Sequence, residues 1–481
     1  MNRRELLRQL GFGLTAGMVL PSMMLSCAKD DPGPEIQYDG TVAVIGAGAA
    51  GLYAADILSA KGVNVVLFEA SGQLGGRMRS LRNQRDSEGL PITSIADFPV
   101  EVGAEIIYGS DSIWNQIVRN LNVAEADLDA AATDVFRLDN EVRTAADWAN
   151  DTDFAAVRNF VEGLANYSGP AVSVEAAAGV TARAANLLNA RAANSFGSSA
   201  SRVGAKGLAE SLNAITHDQK KILITRNPMQ DVLVSRFAQI GRRTRLNTPI
   251  VSINYTGERI VLTDGSGNET TVDKVIVTVP LAVLKAGDIA FTPGLPSTNT
   301  GAFSQLGMDA CVRVILEFKK NFWGETTGMI QGGNLVPQYF NAGVTRSQLY
   351  QTLTATVTGA KAEQLIALGI PNVTPALLAE LDEIYNGQAT EFVRRTIEPP
   401  PQIISYIFDW TQDPYIKGGF SYPLVNGSLE SRANLSAPIG GKVFFAGEAT
   451  DVSGNAGTIN GALASAERVV EEVVESILNP V

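Results

Sequence analysis

The chain has 481 residues, 45% of them hydrophobic, with 46 glycines and a formal net charge of -12. That length suffices for about two to three domains, and the acidic balance argues against a nucleic-acid partner, which would call for a basic patch, while leaving a small cationic substrate open. Two cysteines, Cys27 and Cys311, make no disulfide framework, and one histidine leaves little material for a His base or a metal site.

Residues 1–27, MNRRELLRQLGFGLTAGMVLPSMMLSC, begin with Arg3 and Arg4 and continue in an apolar run broken by glycines. The run is too short and interrupted for a membrane span and is expected to be an export signal. Arg-Arg followed by Glu5, Leu6 and Leu7 resembles a twin-arginine signal. Met24-Leu25-Ser26-Cys27 resembles a lipoprotein cleavage box with Cys27 as the lipidated residue; an ordinary secretory signal is the alternative. Residues 28–40, opening AKDDPGPE, read as a flexible tether. The expected location is the periplasm or cell surface of a bacterium, with the membrane met only through Cys27.

TVAVIGAGAAGLYAADILSAKGVNVVLFEAS follows. Val42 to Ile45 reads as a buried strand, Gly46, Gly48 and Gly51 make G-x-G-x-x-G, an apolar-faced helix comes next, and Val63 to Phe68 is a second strand ending in Glu69. This is the full context of a dinucleotide site. Gly46 permits the tight turn, Gly48 lets backbone approach the pyrophosphate, and Gly51 lets helix pack on strand. The helix N-terminus offers N–H groups to the phosphates. Glu69 can accept from ribose hydroxyls and would repel the extra phosphate of NADP.

Alanine-rich stretches between 130 and 196, namely AAATDVFR, AADWANDTDFAAVRNFVEGLANY and VTARAANLLNARAANSF, favour helices by propensity. GSSASRVGAKG is expected to be a loop or mobile segment, and His217, in ITHDQKK, a surface residue. ERIVLTDGSGNETTVDKVIVTVP alternates as a hairpin turning at Asp264-Gly265. In LGMDACVRVILEF, Leu306 to Phe318, one face is Val312, Val314, Leu316 and Phe318 and the other Cys311, Arg313, Ile315 and Glu317, the alternation of a half-buried strand. PALLAELDEIYN reads as a helix.

Three further stretches carry a family resemblance. EASGQLGGRMRS places Glu69, Ala70, Gly75, Gly76 and Arg77 after the second strand; VFFAGEATDVSGNAGTINGALASAERVVEEV carries Gly447, Glu448, Gly457, Thr458 and Ile459; WTQDPYIKGGFSYP carries Tyr415 and Phe420. The sequence resembles the flavin-containing amine oxidase family, the monoamine, polyamine and L-amino-acid oxidases, over nearly everything from residue 41 onward. The resemblance implies an α/β fold, a Rossmann-like FAD-binding domain (41–122, 241–295 and 436–481) interleaved with an α+β substrate domain (123–240 and 296–435). Substrate is expected to reach the flavin between the two.

By the same resemblance, FAD is held by Gly46, Gly48, Gly51, Glu69, Ala70, Gly76 and Arg77. Further contacts come from Gly103, Ala104 and Glu105 in VEVGAEIIYG, from Ile250 by the adenine, and from Tyr415, Gly447 and Gly457. Glu448 is expected on a ribose hydroxyl or ribityl group, and the N–H groups of Thr458 and Ile459 at the flavin pyrimidine ring. Ser71 and Gln73 stand where the family commonly has arginines. Gly419 stands where some members attach FAD through cysteine, which implies non-covalent FAD.

Phe420 and Tyr108 are expected beside the substrate, with core packing as the bland alternative for both. Thr458 occupies a position that holds an aromatic in monoamine oxidases. Arg313 falls where most members have a lysine that holds a water at flavin N5 and assists O2 reactivity. Lysine can lose its proton when buried; arginine effectively cannot. The carboxylate-binding arginine of the L-amino-acid branch would fall near Ile106, which cannot pair with a carboxylate. The implied activity is amine oxidation by hydride transfer to flavin N5 with O2 as acceptor. The alternatives are a flavin dehydrogenase or desaturase acting on a C–C or C–O bond of a non-amine substrate and passing electrons to a quinone or carrier, and a lipid-tethered, non-catalytic FAD protein.

Overall fold

The computed structural model describes residues 35–81, 96, 98–346, 349–397 and 399–480. The expected export signal and Cys27 lie outside the described residues.

Strand β1 (Thr41–Ile45), helix α1 (Ala49–Ala60) and strand β2 (Asn64–Phe68) form the expected unit, with β1 and β2 parallel and Ile45 opposite Phe68. Strand β3 (Lys274–Val277) pairs with the other side of β1, and β4 (Val443–Phe445) lies beyond it, all parallel. Their runs are apolar without alternation because both faces of this sheet are covered. Helix α2 (Ile459–Leu478) packs along α1 through Leu463, Ala466 and Val470 on Leu52, Ala55 and Leu58, and Tyr53 Oη donates to Glu467 at 3.0 Å. The sheet thus draws on three widely separated segments, and because its strands are parallel the turns after β1 and β4 open at the same edge, on either side of the end of β3.

A second sheet runs Ser405–Asp409, Cys311–Phe318, Gln351–Thr358, Gln338–Asn341, Thr327–Gln331, Thr133–Leu138, Glu141–Thr144, antiparallel except where Thr327–Gln331 meets Thr133–Leu138. The hairpin Ile260–Asp264 with Glu269–Val272 forms as expected, and Asp264 Oδ1 accepts from the Ser266 and Asn268 N–H groups in its turn.

Four readings change. The Leu306–Phe318 stretch is two strands: Leu306–Met308 pairs with Ser421–Pro423, and only Cys311–Phe318 enters the large sheet. All eight of its residues are buried, because the face bearing Arg313 and Glu317 meets protein and a cavity rather than solvent. In AAATDVFR the helix stops at Ala131 and Thr133–Leu138 is a strand, since pairing with Thr327–Gln331 overrides alanine propensity. GSSASRVGAKG is largely buried, with Ser198 Oγ donating to Asp309 at 2.5 Å and Ser199 Oγ accepting from the Ala360 N–H. His217 is half-buried, its Nε2 2.7 Å from Asn455 Oδ1.

Candidate active site

One continuous cavity of about 880 Å³ begins at the glycine turn after β1, passes Glu69, Ile250 and Tyr415, and continues past Gly447 and Gly457 to the large sheet at Arg313. Ala70, Gly76, Arg77, Gly103, Ala104, Glu105, Tyr108, Phe420, Glu448, Thr458 and Ile459 also line it, as do Gly46 and Gly48. Gly51 alone of the expected site residues does not. A Cβ there would sit 1.8 Å from the Gly46 carbonyl oxygen, so Gly51 serves the helix-on-turn packing.

At the cradle, Gly46 has φ +104° and donates its N–H to the Phe68 carbonyl at 2.8 Å. A Cβ on Gly48 would meet nothing within 4 Å, so the backbone faces open space where α1 begins. The first-turn N–H groups of a helix have no acceptor inside it and suit a phosphate. Glu69 closes the cradle from below: Oε2 accepts from the Ala47 N–H at 2.8 Å, and Oε1 from the Ser71 N–H and hydroxyl, both at 2.8 Å. Ser71, which departs from the family pattern, therefore orients the acid.

Glu448 ties three chain segments together. Oε1 accepts from Arg77 at 2.7 Å and from the Ser421 N–H at 3.2 Å; Oε2 accepts from Ser421 Oγ at 2.6 Å and the Gly457 N–H at 2.8 Å. Burial alone would raise this carboxyl, but Arg77, the Ser421 hydroxyl and Arg432 outweigh it and hold it below the ordinary range. The ionised group is thereby saturated with donors, and its visible task is to fix the loops around the cavity. Thr458 behaves similarly. Its N–H donates to Asn455 O at 3.2 Å, and its hydroxyl caps α2 by accepting from the Gly461 N–H at 3.1 Å. Of the two N–H groups expected at the flavin ring, Thr458's is turned onto its own loop.

Phe420 is half-buried, not in a core. Its ring stands where Cβ atoms on Gly197 and Gly457 would come within 3.1 and 2.9 Å, so two glycines with positive φ admit it between them at the cavity wall. Tyr108 is also half-buried; burial, then Asp129, Asp134 and Glu105, push its phenol up to about 12, so it stays neutral. Its hydroxyl has no hydrogen-bond partner among the described residues.

Arg313 points its guanidinium at the cavity wall and is held on three sides. Nε donates to Glu101 O at 3.0 Å, one terminal nitrogen to Thr356 Oγ1 at 2.6 Å, and the other to Glu105 Oε2 in an ion pair. Glu105 Oε1 is buried without a hydrogen-bond partner.

Several neighbours escaped the sequence reading. Thr356 meets Arg313 only through strand register, and Glu105, expected at the cofactor, was not foreseen as the partner of Arg313. Arg79 stacks at 5.2 Å over Phe408 and 5.0 Å over Trp410, and Arg432, buried, donates to Ser421 Oγ and Ala449 O. Cys311 fills the space beside Gly419, its Cβ 2.8 Å from where a Gly419 Cβ would be. The one available signal was Arg79 itself, two residues after the Gly-Gly-Arg motif.

The cradle, the saturated acid and the open wall agree with what comparison finds. The sequence profile of the flavin containing amine oxidoreductases matches residues 49–474. Mouse lysine-specific histone demethylase 1B is 24% identical over 469 residues, 93% of this chain and 54% of that protein. Polyamine oxidase 4 of Oryza sativa subsp. japonica is 27% identical over 51% of this chain and 48% of its own. This chain thus spans about half the length of the curated relatives it matches. Among solved structures, putrescine oxidase bound to putrescine gives a TM-score of 0.73 at 18% identity, covering 90% of this chain and 99% of that one. Cyclohexylamine oxidase from Brevibacterium oxydans gives 0.74 at 20%, covering 92% and 100%. The matched span is most of the chain, and on it the chain belongs to the family of flavin-containing amine oxidoreductases.

Proposed function

We propose that this protein is an exported enzyme that binds FAD without a covalent link and oxidises an amine with O2 as acceptor. The observation that carries the reading is the continuity of one cavity from the glycine cradle and Glu69 to Phe420, Tyr108 and Arg313. Its volume of about 880 Å³ suits a dinucleotide with a substrate slot beside it, and the open space at Gly48 and the unpartnered Glu105 Oε1 fit a bound polar cofactor. Held by the Gly46–Gly48 turn, Glu69 and the loops fixed by Glu448, FAD would supply a two-electron acceptor for a hydride from the carbon bearing nitrogen, with O2 as the final oxidant reduced to hydrogen peroxide.

The chain's own groups do the rest. The N-termini of α1 and α2, which both open on the cavity, would offer N–H groups and positive dipole ends to negative charge on the cofactor. Phe420 narrows the slot to an apolar channel that favours the neutral amine. The Tyr108 hydroxyl is free to bond the substrate. Arg313, fixed by three acceptors, supplies a permanent positive charge and no base. The same reading assigns segments 41–122, 241–295 and 436–481 to FAD and 123–240 and 296–435 to substrate, supported by β1, β2, β3 and β4 meeting in one sheet. Export by residues 1–27 with lipid on Cys27 is supported by the sequence of that segment.

Arg313 in place of lysine favours a second reading, a dehydrogenase delivering electrons to a quinone or carrier. The test is peroxide release and dye reduction by the purified yellow protein with a panel of amines. Amine-dependent peroxide supports the oxidase; slow reoxidation in air with fast dye reduction supports the dehydrogenase. No bleaching of the flavin by any amine overturns amine oxidation by either route.

A further inference from the structure

The cavity continues beyond Arg313 along the large sheet. Arg313 faces Thr356 across the strand pair; Gln338 follows opposite Thr356, one step from the pair Tyr339–Ala355; Gln331 faces Gln338, and Phe136 faces Gln331. Directly opposed residues share a face of a sheet, and all five line the cavity. The row crosses five strands, so Phe136 lies roughly 15–20 Å from Arg313 at ordinary strand spacing.

At the far end, Arg191 holds its guanidinium 5.2 Å from the centre of the Phe136 ring and also lines the cavity. It has no ion pair or hydrogen bond among the described residues. Asp134 and Glu162 raise its proton affinity and Arg158 lowers it, all from beyond contact, while burial is the largest influence and disfavours the charge. Asp134 is otherwise engaged, with Oδ1 accepting from the Met329 N–H at 3.0 Å, Oδ2 from Gln331 Nε2 at 2.9 Å, and Lys221 3.8 Å away. Gln338 Oε1 accepts from Ser195 and Asn194, while its amide N–H groups have no acceptor among the described residues.

We propose that the substrate is an elongated amine bearing a carboxylate at its far end, and that Arg191, with the Gln338 amide, receives that carboxylate. This rests on amine oxidation at the Arg313 end. An unpaired guanidinium in a partly desolvated wall calls for an anion. The row of Thr356, Gln338 and Gln331 gives a polar floor along which an extended chain runs. A cation in the last turn of helix Ala185–Ala192 also suits the helix dipole, but that does not require it to face a cavity.

The test uses the FAD-loaded protein. Turnover is compared for ω-amino acids from 6-aminohexanoate to 12-aminododecanoate and for the matching alkylamines; binding of dodecanoate, which needs no oxidation, is measured by calorimetry. Arg191→Gln is expected to raise KM for 12-aminododecanoate and weaken dodecanoate by about tenfold or more, to leave dodecylamine within about twofold, and to have little effect on 6-aminohexanoate, which is too short to span the row. Arg191→Lys should recover part of the loss, and Gln338→Leu, on a strand of the large sheet, should weaken the same ligands severalfold. Dodecanoate affinity unchanged in Arg191→Gln overturns the inference, as does a loss of thermal stability with no change in either carboxylate. If dodecanoate binds through Arg191 yet no amine bleaches the flavin, the anion site stands and the amine reading fails.

Discussion

Arg313 and Glu105 form a buried ion pair in the wall of the cavity, 3% and 8% exposed, one contributed by the Cys311–Phe318 strand and the other by the loop that follows Gly103. Because Glu101 O and Thr356 Oγ1 take the remaining face of the guanidinium, the arginine is held in one orientation.

The first prediction concerns reoxidation. In Arg313→Lys the fixed fork is replaced by a single ammonium that can hold a water and lose its proton. The rate constant for reoxidation of the reduced protein by O2 is expected to rise several-fold, read by stopped-flow absorbance, with little change in reduction by substrate. An unchanged rate would show that this position does not limit the reaction with O2.

A second prediction isolates the pair. Glu105→Gln leaves Arg313 buried beside a neutral amide. Removing one partner of a buried ion pair costs on the order of 3–5 kcal/mol because the other charge stays uncompensated. Thermal melting of Glu105→Gln should fall accordingly, and the double variant Glu105→Gln with Arg313→Met should recover much of it. Equal melting of single and double variants would mean that the pair contributes nothing beyond its separate members.

Glu448 gives a third. Its two oxygens accept four donors, so a glutamine there turns its N–H₂, in either orientation, toward at least one group that can only donate: Arg77 and the Ser421 N–H on one side or the Gly457 N–H on the other. Loss of FAD affinity is expected, about tenfold or more, read by fluorescence of released flavin. The pH dependence follows from the sign of the shift. The folded carboxyl lies below its ordinary value of 4.5, so its contribution is complete above that value and is lost as pH falls through the folded one. Wild type should therefore release FAD steeply in acid below about 4.5, and Glu448→Gln should lack that step.

The parts legible in the sequence are those made by contiguous residues. The unit from Thr41 to Glu69 and the hairpin at Asp264 pair within themselves, so spacing and turn chemistry suffice; the segment from Val443 to Ile459 was legible by its motif, although its strand and Glu448 are bonded to distant parts of the chain. What was not legible depends on partners far away in the chain. In Cys311–Phe318 alternation reports two different faces, not which of them meets water; both are covered here. Thr133–Leu138 carried alanine-rich flanks but is a strand, since register against Thr327–Gln331 decides it. No local pattern pairs Arg313 with Glu105 across 208 residues, or shows that Arg191 faces the same cavity.

The last prediction concerns Glu101, 3% exposed beneath that pair. Oε1 accepts from the Met229 N–H at 2.8 Å and Oε2 from Ser80 Oγ at 2.6 Å. Burial is the largest influence on it and Glu105 adds repulsion; against the two hydrogen bonds and Arg346, these push the carboxyl from 4.5 up to about 7. A folded value above the unfolded one means that the folded state holds the extra proton between them. Stability is then highest below 4.5, falls as pH rises through that window, and levels above 7. The cost at alkaline pH is about 3 kcal/mol for such a shift. Glu101→Gln keeps an oxygen for Met229 and can donate to Ser80 Oγ, yet carries no charge. Denaturant melts at fixed pH should find this variant more stable than wild type at pH 8, by up to about 3 kcal/mol, with the difference shrinking toward pH 5 as wild type takes up its proton. A constant difference across that range would mean that Glu101 does not titrate there, and that its field at the Arg313–Glu105 pair is the same throughout.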